Sequence, residues 1–450
     1  MLFQLTNVQI IFKMCTFAIN SFQLLFDKFF SMKDKTKNIF DQSILLSILF
    51  ICLSIYLPPL FKSLSLTILA LLLITSFISK TYSPKPNLRK SFLLPILFYA
   101  LHVIGIFYSS DRNEALFDLQ IKLPILILPI LFLFLPPKFL TKDYLFKYSV
   151  VIIIGLLINI FYCFGYGIIR AITNSNPIIS EITYTSLSAS LHPSYLAMFA
   201  SVGLILIYIL PLEQMYNIKG NSVRAIKIIV SSLITFFILM LNSKSGFMVM
   251  SIAYIWIIHN MFFARKKRIQ SIIILLSIAI AYIGIFSLDS LNKRNNIAIT
   301  SLTETQTKNY GESSMSQRKF IYGSSLKLIL EKPIFGQGTG DVKQSLDNLY
   351  EESHVKFYSY LNAHNQYIQT TIALGVIGLI ILILMFILPI IKIVNNKEYY
   401  LLTIYLIIGF SFLFESMLDR SMGAYFFAIM YVLTNTYIEN KTKSLSYLNL

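Results

Sequence analysis

Runs of about twenty mostly apolar residues recur along almost the whole chain, and that is the length an α-helix needs to cross a bilayer. The segment "IALGVIGLIILILMFILPIIKIV" (372–394) is among the most apolar of them. Of the 450 residues 56% are hydrophobic and only 13% charged, against about 25% charged in soluble domains. Such a chain is an all-α, polytopic integral membrane protein. Spans are expected near 43–61, 64–79, 91–109, 122–137, 148–169, 193–211, 225–242, 246–263, 270–288, 367–392, 400–416 and 421–438. That is about twelve transmembrane helices. The organisation is then an N-terminal cytoplasmic or interfacial segment (1–42), helices 1–9 (43–288), one large loop (289–365), helices 10–12 (366–438) and a cytoplasmic tail (439–450). Met32, followed by "KDKTKN", is an alternative start to Met1.

The net charge of +17 would suggest nucleic acid in a soluble protein. Here it follows topology instead, because cytoplasmic loops collect Lys and Arg. Alternate loops hold Lys80, Lys85, Arg89 and Lys90, then Lys138, Lys142 and Lys147, then Lys219, Arg224 and Lys227, then "RKKR" at 265–268, then Lys392 and Lys397. The intervening short loops hold one or two basic residues each. Both termini are therefore expected in the cytoplasm, and the large loop on the periplasmic face. His192, Lys244, Glu415, Asp419 and Arg420 fall on that same outer face. Cys15, Cys52 and Cys163 lie in apolar sequence with no CxxC, so neither a disulfide framework nor a metal cluster is indicated. No metal site and no cofactor are expected.

Within the loop, Gln317 to Lys332 has helical periodicity, with Phe320, Ile321, Leu326, Leu328 and Ile329 on the apolar side and Pro333 after its end. "FGQGTGD" follows, then a second helical stretch to about Leu361, for which Asp341 and Gln344 form a capping box. These are amphipathic helices at the membrane surface. Gly336, Gly338 and Gly340 admit two readings, a phosphate-binding loop or a turn between helices. No strand precedes them and no GK[ST] follows. Arg318 either snorkels or binds phosphate with its planar fork. His364 opens a span. It is a helix-end residue, or a general base kept neutral by the positive end of the helix dipole. His102 and His259 lie within spans and read as structural. His354 has no recognisable context.

The motifs "YSSDRNEALFDLQIKLPILILPILF" (108–132), "LHPSYLAMF" (191–199), "LNSKSGFMV" (241–249), "QRKFIYGSSLKLILEKPIFGQGTGD" (317–341), "AHNQYIQTTIALGVIGLI" (363–380) and "FESMLDRSMGAYFF" (414–427) occur in this order. In that order the chain resembles the O-antigen ligase superfamily of bacterial membrane glycosyltransferases. The superfamily also includes some O-antigen polymerases and protein O-oligosaccharyltransferases. The resemblance implies a GT-C-like helical fold in the bacterial inner membrane. It implies transfer of a glycan from undecaprenyl diphosphate, on the periplasmic face, to a hydroxyl of lipid A-core or another acceptor. It makes Arg318 and His364 the catalytic residues. Lys244 stands where the family has Arg, which keeps the charge but loses the bidentate fork. Lys244, His192, Asn365, Gly336, Gly338, Glu415 and Arg420 become candidates for holding diphosphate or acceptor. The partners so implied are a lipid-linked glycan, a hydroxyl acceptor and membrane lipids, with no nucleic acid. A polymerase or protein glycosyltransferase would share the donor. A transporter or flippase is disfavoured because its ionisable residues would sit near the bilayer midplane.

If the loop faces outward, a cysteine introduced by Ser313→Cys reacts with a membrane-impermeant thiol reagent in intact spheroplasts. Labelling only after lysis would reverse the orientation.

Overall fold

The computed structural model describes residues 39–80, 89–189, 191–270, 272, 276, 314–352 and 362–448. The N-terminal segment up to residue 38, nearly all of the expected span 270–288, residues 289–313 of the loop and His354 lie outside the described residues. Every regular element among the described residues is helical. In chain order the longer helices are α1 (Ile39–Ser54), α2 (Pro59–Ile78), α3 (Leu93–Ile106), α4 (Arg112–Phe134), α5 (Lys142–Thr173), α6 (Pro193–Ile209) and α7 (Gly220–Met240). They continue with α8 (Lys244–His259), α9 (Ser314–Glu331), α10 (Val342–Glu352), α11 (Gln366–Asn395), α12 (Tyr399–Ser411) and α13 (Ser421–Leu448). In hydrocarbon a helix satisfies its own backbone polar groups, which is why long apolar sequence takes this form. Six of the described helices are long and apolar enough to cross a membrane: α2, α4, α5, α7, α8 with its π-turn to Ala264, and α11. The other apolar helices α1, α6 and α12, and α3 with its leading 3-10 turn, are shorter.

α6 is the centre of the bundle. From Pro193 to Ile207 every residue is buried, as expected of a helix that is apolar all round. α5, α7, α8 and α12 surround it, while α13 packs along α4. Several helices start earlier than the expected spans, among them α1, α2, α4, α5 and α7. α1 begins at Ile39, inside the segment assigned as extramembrane. α4 begins at Arg112 with Asp111 capping Glu114 N at 2.9 Å, ten residues before the expected span at 122. Asp118 and Lys122 are therefore inside the helix. They pair with each other, and Lys122 also reaches Asp419 Oδ1 at 3.4 Å. A hydropathy window ends at such charges, but the folded bundle pairs them.

α9 and α10 confirm two helices in the second part of the loop, with α9 buried along Ile321, Ser325 and Leu328. Leu326, assigned to the same apolar side, is exposed instead, together with Leu330. The capping box is also corrected. The Asp341 carboxylate accepts from Ser110 N at 2.8 Å and Asp111 N at 2.9 Å, while Gln344 donates to Asn348. Asp341 thus ties its own turn to the start of α4 rather than closing α10.

The turn 333–341 docks against a break in α11. Gly375 has φ +64° and ψ −164° there. The break removes helical donors from nearby carbonyls, and the turn replaces them: Gln337 N donates to Ile372 O at 2.7 Å and Gly338 N to Ala373 O at 3.1 Å. In return, Val376 N donates to Pro333 O at 2.8 Å. A Cβ on Gly375 would stand 2.1 Å from Ile334 O. Gly375→Ala is therefore expected to lower the thermal unfolding midpoint in detergent, since left-handed strain alone costs about 1–3 kcal/mol and the clash adds to it. An unchanged midpoint would show that the turn is not seated on the break.

Candidate functional site

The site is assembled by the junction between α11 and the segment 412–420. Asn365 caps α11, its Oδ1 accepting from Tyr367 N at 2.9 Å and Ile368 N at 3.1 Å. The helix starts at Gln366, so His364 precedes the cap rather than standing within the first turn. Its backbone is left-handed, φ +46°, which turns the ring away from the helix axis. Ala363 N and His364 N are held by Gln369 Oε1 at 3.0 Å and Asn362 Oδ1 at 3.1 Å. Gln366 then joins the two segments, donating from its backbone to Phe412 O at 2.7 Å and accepting from Leu418 N through its side chain at 2.6 Å.

Glu415 lies at the middle of this junction, 4% exposed. Its Oε2 is 3.1 Å from His364 Nδ1, and its Oε1 is 3.2 Å from Arg318 Nη2 and 3.5 Å from His192 Nδ1. Arg318 also donates to Phe414 O at 3.1 Å. One carboxylate therefore gathers three residues from α9, from the turn before α6 and from the turn before α11. Burial pushes the Glu415 carboxyl up, but the hydrogen bond from His364 and the charges of His192, His364 and Arg318 outweigh it and hold the group below its ordinary value. A carboxylate at Nδ1 makes that nitrogen the donor in the neutral ring, leaving Nε2 with a lone pair able to accept a proton.

His192 caps α6, with Ser194 N 3.4 Å from its Nδ1. Ser194 in turn joins α8, its Oγ lying 3.1 Å from Ser243 Oγ and 2.9 Å from Ser245 Oγ. Ser243 caps α8, accepting from Gly246 N at 3.2 Å, and exposed Lys244 is the first residue of that helix. Tyr195 closes the ring of contacts by donating to Ser416 O at 3.0 Å. Three helix N-termini, of α6, α8 and α11, thus meet at one end of the bundle, where their dipoles favour an anion. Arg420 is exposed, directly before α13. Beside it, burial raises the Asp419 carboxyl against the pull of Lys122.

The structure brings His192, Arg318 and His364 together on Glu415, with Asn365 next to His364 in the chain; Lys244 and Arg420 are exposed residues at the starts of α8 and α13. It separates the glycines from them. Gly336 is backed by the Ala373 and Gly375 backbone, and a Cβ on Gly338 would lie 2.5 Å from Ser109 Oγ. They serve the packing of the turn. Glu415 is 4% exposed, and its described partners are His192, Arg318 and His364. His102 is buried edge-on against the Phe98 ring, with neither ring nitrogen hydrogen-bonded among the described residues. The ion triad Asp118–Lys122–Asp419 escaped the sequence reading. Its signal was the i,i+4 spacing of Asp118 and Lys122 ahead of an apolar run.

The model of the O-antigen ligase family matches residues 229–383. That range contains Lys244, Arg318, His364, Asn365 and the break at Gly375. Over that third of its length the chain is similar to the O-antigen ligase family. Its long apolar helices are those of a multi-pass membrane protein. The chain is also similar to an uncharacterised protein of Haemophilus influenzae, 30% identical over 144 residues, which are 30% of this chain and 35% of the relative. The chain spans about a third of the length of that curated relative.

The depressed Glu415 carboxyl gives the protein a defined acid response. A group held below its ordinary 4.5 adds stability that is present above that value and lost as pH falls through its folded pKa. Wild-type protein is expected to lose thermal stability below about pH 4.5, and Glu415→Gln to start lower at pH 7 and lose less on acidification. Equal slopes for the two proteins would remove Glu415 from the centre of the site.

Proposed function

We propose that this chain is a glycosyltransferase that moves a glycan from undecaprenyl diphosphate to an acceptor hydroxyl on the periplasmic face of the inner membrane. The favoured acceptor is lipid A-core of lipopolysaccharide. The observation that carries the reading is the pairing of His364 Nδ1 and Arg318 Nη2 on one buried Glu415 carboxylate, at 3.1 and 3.2 Å.

His364 Nε2 takes the proton of the acceptor hydroxyl as its oxygen bonds to the anomeric carbon. The bond from that carbon to the diphosphate oxygen breaks, and the electron pair leaves with the lipid diphosphate. Glu415 orients the imidazole and balances its gained charge, as carboxylates do in related acid–base arrangements. Arg318 spends only Nη2 on Phe414 and Glu415. Nη1 and Nε can meet the diphosphate, whose developing charge is further offset by Lys244, Arg420 and the helix N-termini. A good leaving group with this cationic surround requires no metal. Gly336 and Gly338, the remaining candidates for substrate contact, act through the turn they allow. A polymerase or a protein O-oligosaccharyltransferase would use the same donor chemistry with another hydroxyl.

In a strain lacking the gene, lipopolysaccharide gels are expected to lose all polymer on lipid A-core. A single-repeat ladder would mean polymerase, and unchanged lipopolysaccharide with altered glycoproteins would mean protein glycosylation. Complementing that strain with His364→Ala is expected to give about 10²–10⁴-fold slower transfer, with donor binding largely intact. Arg318→Lys should weaken diphosphate handling despite its charge, Lys244→Arg should be tolerated and Lys244→Ala should not. Near wild-type transfer by normally expressed His364→Ala would reduce the histidine to a helix-end residue.

A further inference from the structure

At the end of the bundle opposite the candidate site, α5 begins and α13 finishes. A cavity of about 290 Å³ lies there, lined by Leu140, Lys142, Leu145, Glu398, Tyr437 and Lys441. Leu145 and Tyr437 also line an apolar groove that continues between α5, α6, α12 and α13, past Ile152, Leu206, Ile404 and Met430. The polar mouth and the apolar groove thus adjoin across Leu145 and Tyr437.

The charges at the mouth are unequal. Glu398 is 9% exposed, and its Oε1 takes both the ammonium of Lys441 and the hydroxyl of Tyr437, the latter at 3.1 Å. Lys441 also donates to Asn396 O at 3.1 Å. That carboxylate is thereby neutralised. Lys142 has no carboxylate partner among the described residues, its Nζ resting over the Phe146 ring at 5.5 Å. Its exposed neighbour Asp143 does not line the cavity. Behind the mouth, Glu439 is shared by Arg89 at 3.4 Å and Lys392 at 2.9 Å, so this end carries surplus positive charge.

We infer that this feature binds an anionic glycerophospholipid of the adjacent leaflet, with an acyl chain in the groove and the phosphate on Lys142. Basic pockets between spanning helices take acidic head groups for this reason. A zwitterionic lipid would bring its own cation against Lys142, and free phosphate would gain nothing from the groove. The site is independent of the glycosyltransferase reading and requires only that the bundle sit in a membrane.

The test uses the purified full chain in a neutral detergent, titrated separately with phosphatidylglycerol, phosphatidylcholine and inorganic phosphate while thermal unfolding is followed. Phosphatidylglycerol is expected to raise the midpoint saturably, phosphatidylcholine much less, and phosphate not at all. Lys142→Glu should weaken the phosphatidylglycerol response at least about fivefold, the worth of one lysine charge near an acidic membrane surface. Lys142→Arg should retain it, and native mass spectrometry should show fewer bound phosphatidylglycerol molecules on Lys142→Glu alone. Equal responses to the two lipids would overturn the proposal, as would a Lys142→Glu protein with unchanged response and lipid retention. A response to inorganic phosphate alone would reduce the mouth to a bare anion site.

Discussion

A spanning helix cannot be broken in hydrocarbon unless something else satisfies the freed backbone groups, and this requirement organises the molecule around Gly375. The carbonyls of Ile372 and Ala373 receive Gln337 N and Gly338 N. The close approach leaves no space for side chains at Gly336 and Gly375. Seating the turn there fixes α9, and with it Arg318. The same turn reaches sideways: Thr339 donates to His102 O at 2.7 Å, Tyr108 to Phe335 O at 2.7 Å, and Asp341 receives two backbone donors at the start of α4. α4 then carries Lys122 to Asp419, four residues beyond Glu415.

The electrostatic design follows from the same economy of buried charge. A charge removed from water needs a partner. Glu415 has three candidates for that role in Arg318, His192 and His364, and Lys122 has Asp118 and Asp419. In the first case the guanidinium and the two imidazoles are partly exposed. In the second the buried Lys122 ammonium lies between two partly exposed carboxylates and holds the 412–420 segment against α4.

The all-helical class, many helix positions and the similarity to the O-antigen ligase family were legible in the sequence because long apolar runs and ordered motifs are local signals. Charged residues inside α4 were not, because a hydropathy window registers each charge and cannot see its partner three hundred residues away. Asp341 with Gln344 has the spacing of a capping box, yet the carboxylate found stronger use across the fold at Ser110 and Asp111. Gly336 and Gly338 matched a phosphate loop equally well as letters. Their role is the approach of two backbones, which only the folded bundle contains.

The sequence by itself determined that the chain is a helical membrane protein and that it resembles the O-antigen ligase superfamily, since helix length and motif order depend on neighbours along the chain. Only the tertiary structure decided that Glu415 is the shared partner of His364, Arg318 and His192. It decided too that α11 is broken to receive a turn, and that a cationic mouth opens onto an apolar groove at the opposite end. Each of these depends on groups distant in sequence meeting within about 3–4 Å, the range of hydrogen bonds and close ion pairs, and no local pattern encodes such a meeting.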